Sequence, residues 1–118
     1  MNQESAAHVL PALEGEVSVT SITAGAASSA IVVGAKTARY YTVSIDDGAG
    51  AAVGCYLTRA NAAAPTAPDP TATSGGARTQ FYSAADLRAL VFSPGDQIRV
   101  YAIGSGTHYV RLSPSSPA

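Results

Sequence analysis

The side chains able to do acid–base or nucleophilic chemistry are few in this chain and lie far apart along it. His8 and His108 are its two histidines. A nucleophilic triad needs a base within hydrogen-bond reach of a hydroxyl or thiol, itself oriented by an acid. His8 lies in an aperiodic N-terminal stretch, which gives a base no fixed position. His108 ends a strand pattern on core-face parity, where a partly exposed strand-end residue is the expectation. The eight acids are scattered over turns and ends, and no two pair across one groove as glycoside hydrolysis requires. Asp46 and Asp47 are adjacent, but neighbours on a strand end point apart, and Asp-Asp-Gly reads as a turn. Asp69 stands alone in a Pro-rich segment. The chain has no HExxH, CxxC, P-loop or GxGxxG element, and Gly48-Ala49-Gly50 and Gly104-Ser105-Gly106 lack the helix a phosphate site wants. Cys55 reads as an inward small hydrophobe. The expectation is a non-enzyme without metal, cofactor or small-molecule substrate.

The chemistry that the sequence does concentrate is that of contact. Residues 94 to 112 read as a turn, a strand, a Gly-Ser-Gly loop and a return strand. Pairing across the loop sets Ile98 opposite Leu112, Val100 opposite Val110 and Ala102 opposite His108 on a core face. The other face then carries Arg99 opposite Arg111 and Tyr101 opposite Tyr109. Facing arginines repel, and a partner's carboxylate would relieve them beside flat tyrosine area. Arg and Tyr are hot-spot residues, so this face is the expected interface, extended by Tyr40 and Tyr56 if their strands share its sheet.

The elements that must position these residues are short strands. Val17, Val19 and Ile22 open a period-two pattern, and Ser29 to Val33 supplies a second run. Arg39 to Ile45 puts Tyr41, Val43 and Ile45 on one face and Tyr40, Thr42 and Ser44 on the other. The Asp46-Asp47-Gly48 turn leads to a strand from Ala52 to Arg59, with Val53, Cys55 and Leu57 inward, so the two segments read as a hairpin. Residues 60 to 78 form a long Pro/Ala-rich loop. Thr79 to Tyr82 reads as a strand, and Ser83 to Leu90 as one capped helical turn with Ser83 as N-cap and Asp86 at N3. The expected fold is all-β, an antiparallel β-sandwich for which jelly-roll wiring is one solution. It comprises an extended N-terminal arm over residues 1–15, the sandwich over 16–112 and a flexible tail over 113–118. In the arm, Val9, Leu10 and Leu13 are expected to dock on a neighbouring subunit.

Composition narrows the partners. The net charge is −1 and charged residues are only 13% of 118 residues, which argues against a general nucleic-acid binder and for a weakly charged surface that associates. One cysteine permits no intramolecular disulfide. No apolar run approaches a membrane span, and Met1 to Ser5 shows no basic n-region, so synthesis in a cytoplasm is the expectation.

From Ala38 to Leu112 the order of features resembles small accessory virion proteins of tailed bacteriophages. The points of similarity are Arg39-Tyr40-Tyr41-Thr42-Val43-Ser44, a strand ending in Leu57-Thr58-Arg59, and the Pro/Ala/Thr-rich loop. They continue with Ser93-Pro94-Gly95-Asp96-Gln97-Ile98-Arg99-Val100 and the closing Gly-Ser-Gly segment. The likeness is greatest to capsid decoration (cement) proteins and lies in strand spacing, without a diagnostic motif. It implies a homotrimer on the outer surface of the head, made in the host cytoplasm, that binds the major capsid protein and stabilises the lattice. A tail or baseplate component shares the style. A glycan- or cell-surface-binding sandwich is the alternative class, since exposed tyrosines can stack on sugars, though the chain has no Trp.

Overall fold

The computed structural model describes residues 9–10, 17–34, 40–71 and 80–117. It is mostly β, with two antiparallel sheets and one short helix. The strands are β1 (Val9–Leu10), β2 (Ser18–Thr23), β3 (Ile31–Val32), β4 (Tyr40–Asp46), β5 (Cys55–Asn61), β6 (Gln80–Tyr82), β7 (Asp96–Ala102) and β8 (Thr107–Pro117). The helix α1 spans Ala84–Arg88. In the first sheet β8 pairs with β1, β2 and β4; the second runs β3-β7-β5-β6. Both sheets feed one core of Ile22, Val43, Ile45, Val110 and Leu112 from the first and Cys55, Leu57, Ile98, Val100 and Ala102 from the second.

The inward and outward faces of β7 and β8 agree with the alternation in the sequence, but the hairpin expected between them does not form. β7 pairs with β5 and β3, and β8 pairs with β2 and β4. Gly104 and Gly106, at φ 115° and 84°, turn the chain out of one sheet and into the other. None of the expected cross-loop pairs exists, neither Ile98–Leu112, Val100–Val110 and Ala102–His108 nor Arg99–Arg111 and Tyr101–Tyr109. Side-chain alternation is satisfied either way, because apolar faces can meet side by side or across a core. Likewise β4 and β5 part company. The Asp46–Gly48 turn closes with an Asp46–Ala52 bridge and a Val53 N–H to Ile45 C=O bond of 3.0 Å. The chain then passes Gly54 into the second sheet.

These crossings are tied together. Ala24 N–H donates to Gly106 C=O (2.9 Å), Gly25 N–H to Ala102 C=O (3.0 Å) and Ile103 N–H to Gly54 C=O (3.3 Å). The turns that leave β2, β4 and β7 therefore share one end of the molecule. His108 sits beneath them, only 5% exposed rather than partly exposed, with Nδ1 unpartnered among the described residues. Val17 and Val19 face outward and are exposed, because the pairing of Ile22 with His108 fixes the parity of β2.

β8 runs through Pro117, so residues 113–117 pair with β4 and β1 where a tail was expected. Pro114 is tolerated because it lies beyond Leu112, the last β8 residue paired with β2, and directs its donor-less nitrogen to that side. The long segment after β5 is anchored at its start: Pro65 and Pro68 are buried and Thr58 Oγ1 donates to Thr66 C=O (2.6 Å). Helix α1 carries the expected capping box, with Ser83 accepting from Asp86 N–H and Asp86 accepting from Ser83 N–H.

Asp96 pins the turn before β7. The residue is 4% exposed, and its carboxylate accepts from Ser93 N–H (3.1 Å) and Arg59 Nη1 (3.0 Å). Asp96→Ala removes the one oxygen, Oδ2, that accepts both bonds and is expected to cost about 1–3 kcal/mol, read by urea unfolding. A loss under about 0.5 kcal/mol would mean that water replaces the carboxylate.

Candidate docking surface

The outer faces of the two sheets divide the residues expected to form one interface. Arg99, Tyr101 and Tyr56 lie on the second sheet, and Tyr109, Arg111 and Tyr40 on the first. The single Arg/Tyr surface expected from the sequence is therefore two surfaces.

On the second sheet the register builds a row. Tyr56 of β5 stands directly opposite Tyr101 of β7 on one side and Phe81 of β6 on the other. The Tyr56 and Phe81 rings lie 5.1 Å apart at 62°, and the Tyr56 and Tyr101 rings 6.3 Å apart at 83°. Both are edge-to-face, the arrangement that the ring quadrupole favours. Phe81 is 44% exposed and Ile103, beyond Tyr101 on β7's outward parity, is 45% exposed. Arg99 lies two residues before Tyr101 on the same face and opposite Thr58. Its Nε donates to Ser28 C=O (2.9 Å), which fixes the stem at the row's edge. Ser28 also accepts the Val100 N–H on its Oγ (3.0 Å), so segment 25–33 lines the open side of β7. Phe81 escaped the sequence reading: a three-residue strand after a long loop gives no parity, and only its pairing with Tyr56 shows which way it faces.

On the first sheet, Arg111 lies opposite Ser44 and Val19, one register step from Asp46 opposite Tyr109. Its Nε donates to Asp46 Oδ2 and its Nη2 to Asp46 Oδ1 (3.4 Å), and the guanidinium sits 5.9 Å from the Tyr109 ring centroid. The chain itself thus supplies the carboxylate that Arg111 was expected to seek in a partner. The Arg111 bond, and then the Gly48 N–H, hold the Asp46 carboxyl below its ordinary range. Ala49 and Ala51 N–H do the same for Asp47. Tyr40 is half-buried opposite Ser115. Val9 and Leu10 pair through the backbone with Pro117 and Ser116, and Leu13 lies outside the described residues.

Both aspartates lose their folded-state advantage as protonation sets in. Their contribution to stability is present above the ordinary value of 3.8 and fades as the pH falls below it. The Asp46–Arg111 pair is still partly open to water, with Arg111 40% exposed, and Asp47 sits in a surface turn, so the effect is expected to be small and reduced by salt. Asp46→Asn should flatten the acid limb of the melting temperature below about pH 4. An unchanged limb would show that the Arg111 pair adds nothing.

Among the described residues no group of three or more His, Cys, Asp or Glu is placed to hold a metal. Burial pushes the Cys55 thiol up to about 12, so it stays protonated in the core. No helix is long and apolar enough to cross a membrane among the described residues. No family model, no curated protein and no solved structure matches the chain.

Proposed function

We propose that this protein is a non-enzymatic virion structural protein, a decoration protein that binds the head lattice of a tailed bacteriophage through the aromatic row of its second sheet. The observation that carries the reading is that row: Phe81, Tyr56 and Tyr101 in direct register on an outer face, with Arg99 at its edge. Aromatics flanked by an arginine are the composition of a protein-binding hot spot. The low charge of the chain suits close packing on a lattice.

The architecture favours the same reading. We take the two sheets as an antiparallel sandwich with jelly-roll wiring. From β2 to β5 consecutive strands alternate between the sheets, β6 stays beside β5, and β7 and β8 then take one sheet each. The Phe92 segment continues the first sheet by bridging Tyr41, giving β2-β8-β4-Phe92 against β3-β7-β5-β6. Jelly rolls recur in viral capsid domains and in lectins, an analogy of architecture that ranks function classes and assigns no residue.

The unit is taken to be a homotrimer made in the host cytoplasm and bound to the major capsid protein on the outer surface. Light scattering coupled to size exclusion near neutral pH tests this: the mass should be three times 11.8 kDa or a multiple of that trimer. A monomer or a dimer would contradict the trimer. The glycan-binding reading has less support, because the edge-to-face rings form no flat platform for a sugar.

A further inference from the structure

Among the described residues, one long sheet edge is left open. Ala24 stands opposite Gly106 in the register that pairs Ile22 with His108, and its N–H donates to Gly106 C=O. In an antiparallel ladder the bonded residues alternate, so the even-numbered residues of β2 bond to β8. Val17, Val19, Ser21 and Thr23 then direct N–H and C=O away from the sheet. Among the described residues nothing bonds them. The space beside them is a cleft of about 560 Å³, walled on one side by Thr20–Thr23 and on the other by residues 26–31.

The remaining edges are short or occupied. On the outer side of β4, Tyr41 exchanges two bonds with Phe92, at 2.8 and 2.9 Å, and Ile45 and Asp47 bond to Val53 and Ala51. β3 has two residues and β6 three. β2 has six, Ser-Val-Thr-Ser-Ile-Thr, rich in β-branched types and without charge or proline. Exposed edges are normally blunted by lysine, proline, bulges or cover, and β2 carries no such residue.

We propose that β2 is an interface between two copies of this chain, which pair their β2 edges antiparallel across a two-fold axis. The edge is self-complementary: it carries no charge to repel a second copy, which offers the same outward donors and acceptors. Parity fixes the register, since facing residues in an antiparallel pair must point to the same side of the sheet. The register that uses the whole strand sets Thr20 opposite Thr20, Val19 opposite Ser21 and Val17 opposite Thr23. Odd-numbered residues exchange the hydrogen bonds, and the exposed Val17 and Val19 gain neighbours from the second copy on the outer face. This inference does not depend on what the aromatic row binds.

Thr20 meets its own copy at a non-hydrogen-bonded position, where Cα atoms lie about 4.5 Å apart, within the range a disulfide accepts. Thr20→Cys should therefore form a disulfide-linked dimer under mild oxidation. Ser18→Cys, offset from its copy by four residues, should not. The native Cys55 is buried and serves as an internal blank. Ser21→Pro removes one outward N–H without touching the β8 ladder and should halve the mass measured by light scattering. Val19→Lys, on an exposed position, should do the same with an unchanged circular dichroism spectrum. Equal masses for wild type and both variants, or no more cross-linking from Thr20→Cys than from Ser18→Cys, would overturn the pairing. A wild-type trimer left intact by Ser21→Pro would overturn it while leaving the proposed trimer standing; a dimer split to monomer would do the reverse.

Discussion

Phe92→Ala is expected to cost about 3–5 kcal/mol, a large part of the stability of a domain of this size. Phe92 is 3% exposed and packs in the core with Leu87 of α1 and Tyr41 of β4. Its backbone also closes the outer edge of β4 through the two bonds to Tyr41. The truncation leaves a cavity in the core, and the backbone paired to Tyr41 limits how far the segment can collapse into it. At about 4 °C per kcal/mol, the midpoint of thermal unfolding should fall by roughly 12–20 °C. A loss under about 1 kcal/mol would show that the 90–93 segment relaxes freely and that Phe92 does not hold β4.

Gly54→Val is the second large effect. A Cβ at Gly54 would lie 2.7 Å from the Phe81 ring, 2.8 Å from Tyr82 C=O and 3.2 Å from Ser83 Cα. The ring can swing aside, but the carbonyl and the Cα belong to the backbone that joins β6 to α1. The β5–β6 pairing must open to admit the side chain, at a cost near the upper end of the ~1–3 kcal/mol seen for overpacking. The same movement separates Tyr56 from Phe81, so the aromatic near-ultraviolet dichroism should weaken with it. Gly50 is the contrast. It has φ 98° but nothing within 4 Å of where a Cβ would stand, so Gly50→Ala meets backbone strain alone, about 1 kcal/mol. If Gly54→Val were no worse than Gly50→Ala, the close approach of β6 to β5 would be wrong.

What the sequence reveals here is parity, and what it hides is partnership. Ile98, Val100 and Ala102 are inward as their alternation says, as are Val110, Leu112, Tyr41, Val43, Ile45, Cys55 and Leu57. The Ser83/Asp86 capping box and the Asp46–Gly48 turn are local, and local chemistry determines them. Which strand lies beside which is a long-range choice. Arg99 and Arg111 sit at the spacing of a hairpin, yet Gly104 and Gly106 send their strands to different sheets, where each arginine finds its own acceptor: Ser28 C=O for Arg99, Asp46 for Arg111. The candidate site changed for the same reason. Tyr56 and Tyr101 come together because β5 and β7 pair, Tyr109 is carried away with β8, and Phe81 enters from a strand too short to read.

The central claim, docking on a phage head through the second sheet, is tested most directly by co-sedimentation. Purified protein would be mixed with emptied heads, and separately with tails, of the tailed phage it is proposed to decorate, alongside Tyr101→Ala at matched folding. Wild type should sediment saturably with heads and not with tails. The variant should stay in the supernatant, having lost a hot-spot side chain of about 2 kcal/mol or more. Wild type that ignores heads, or a variant that binds them equally well, would contradict the account.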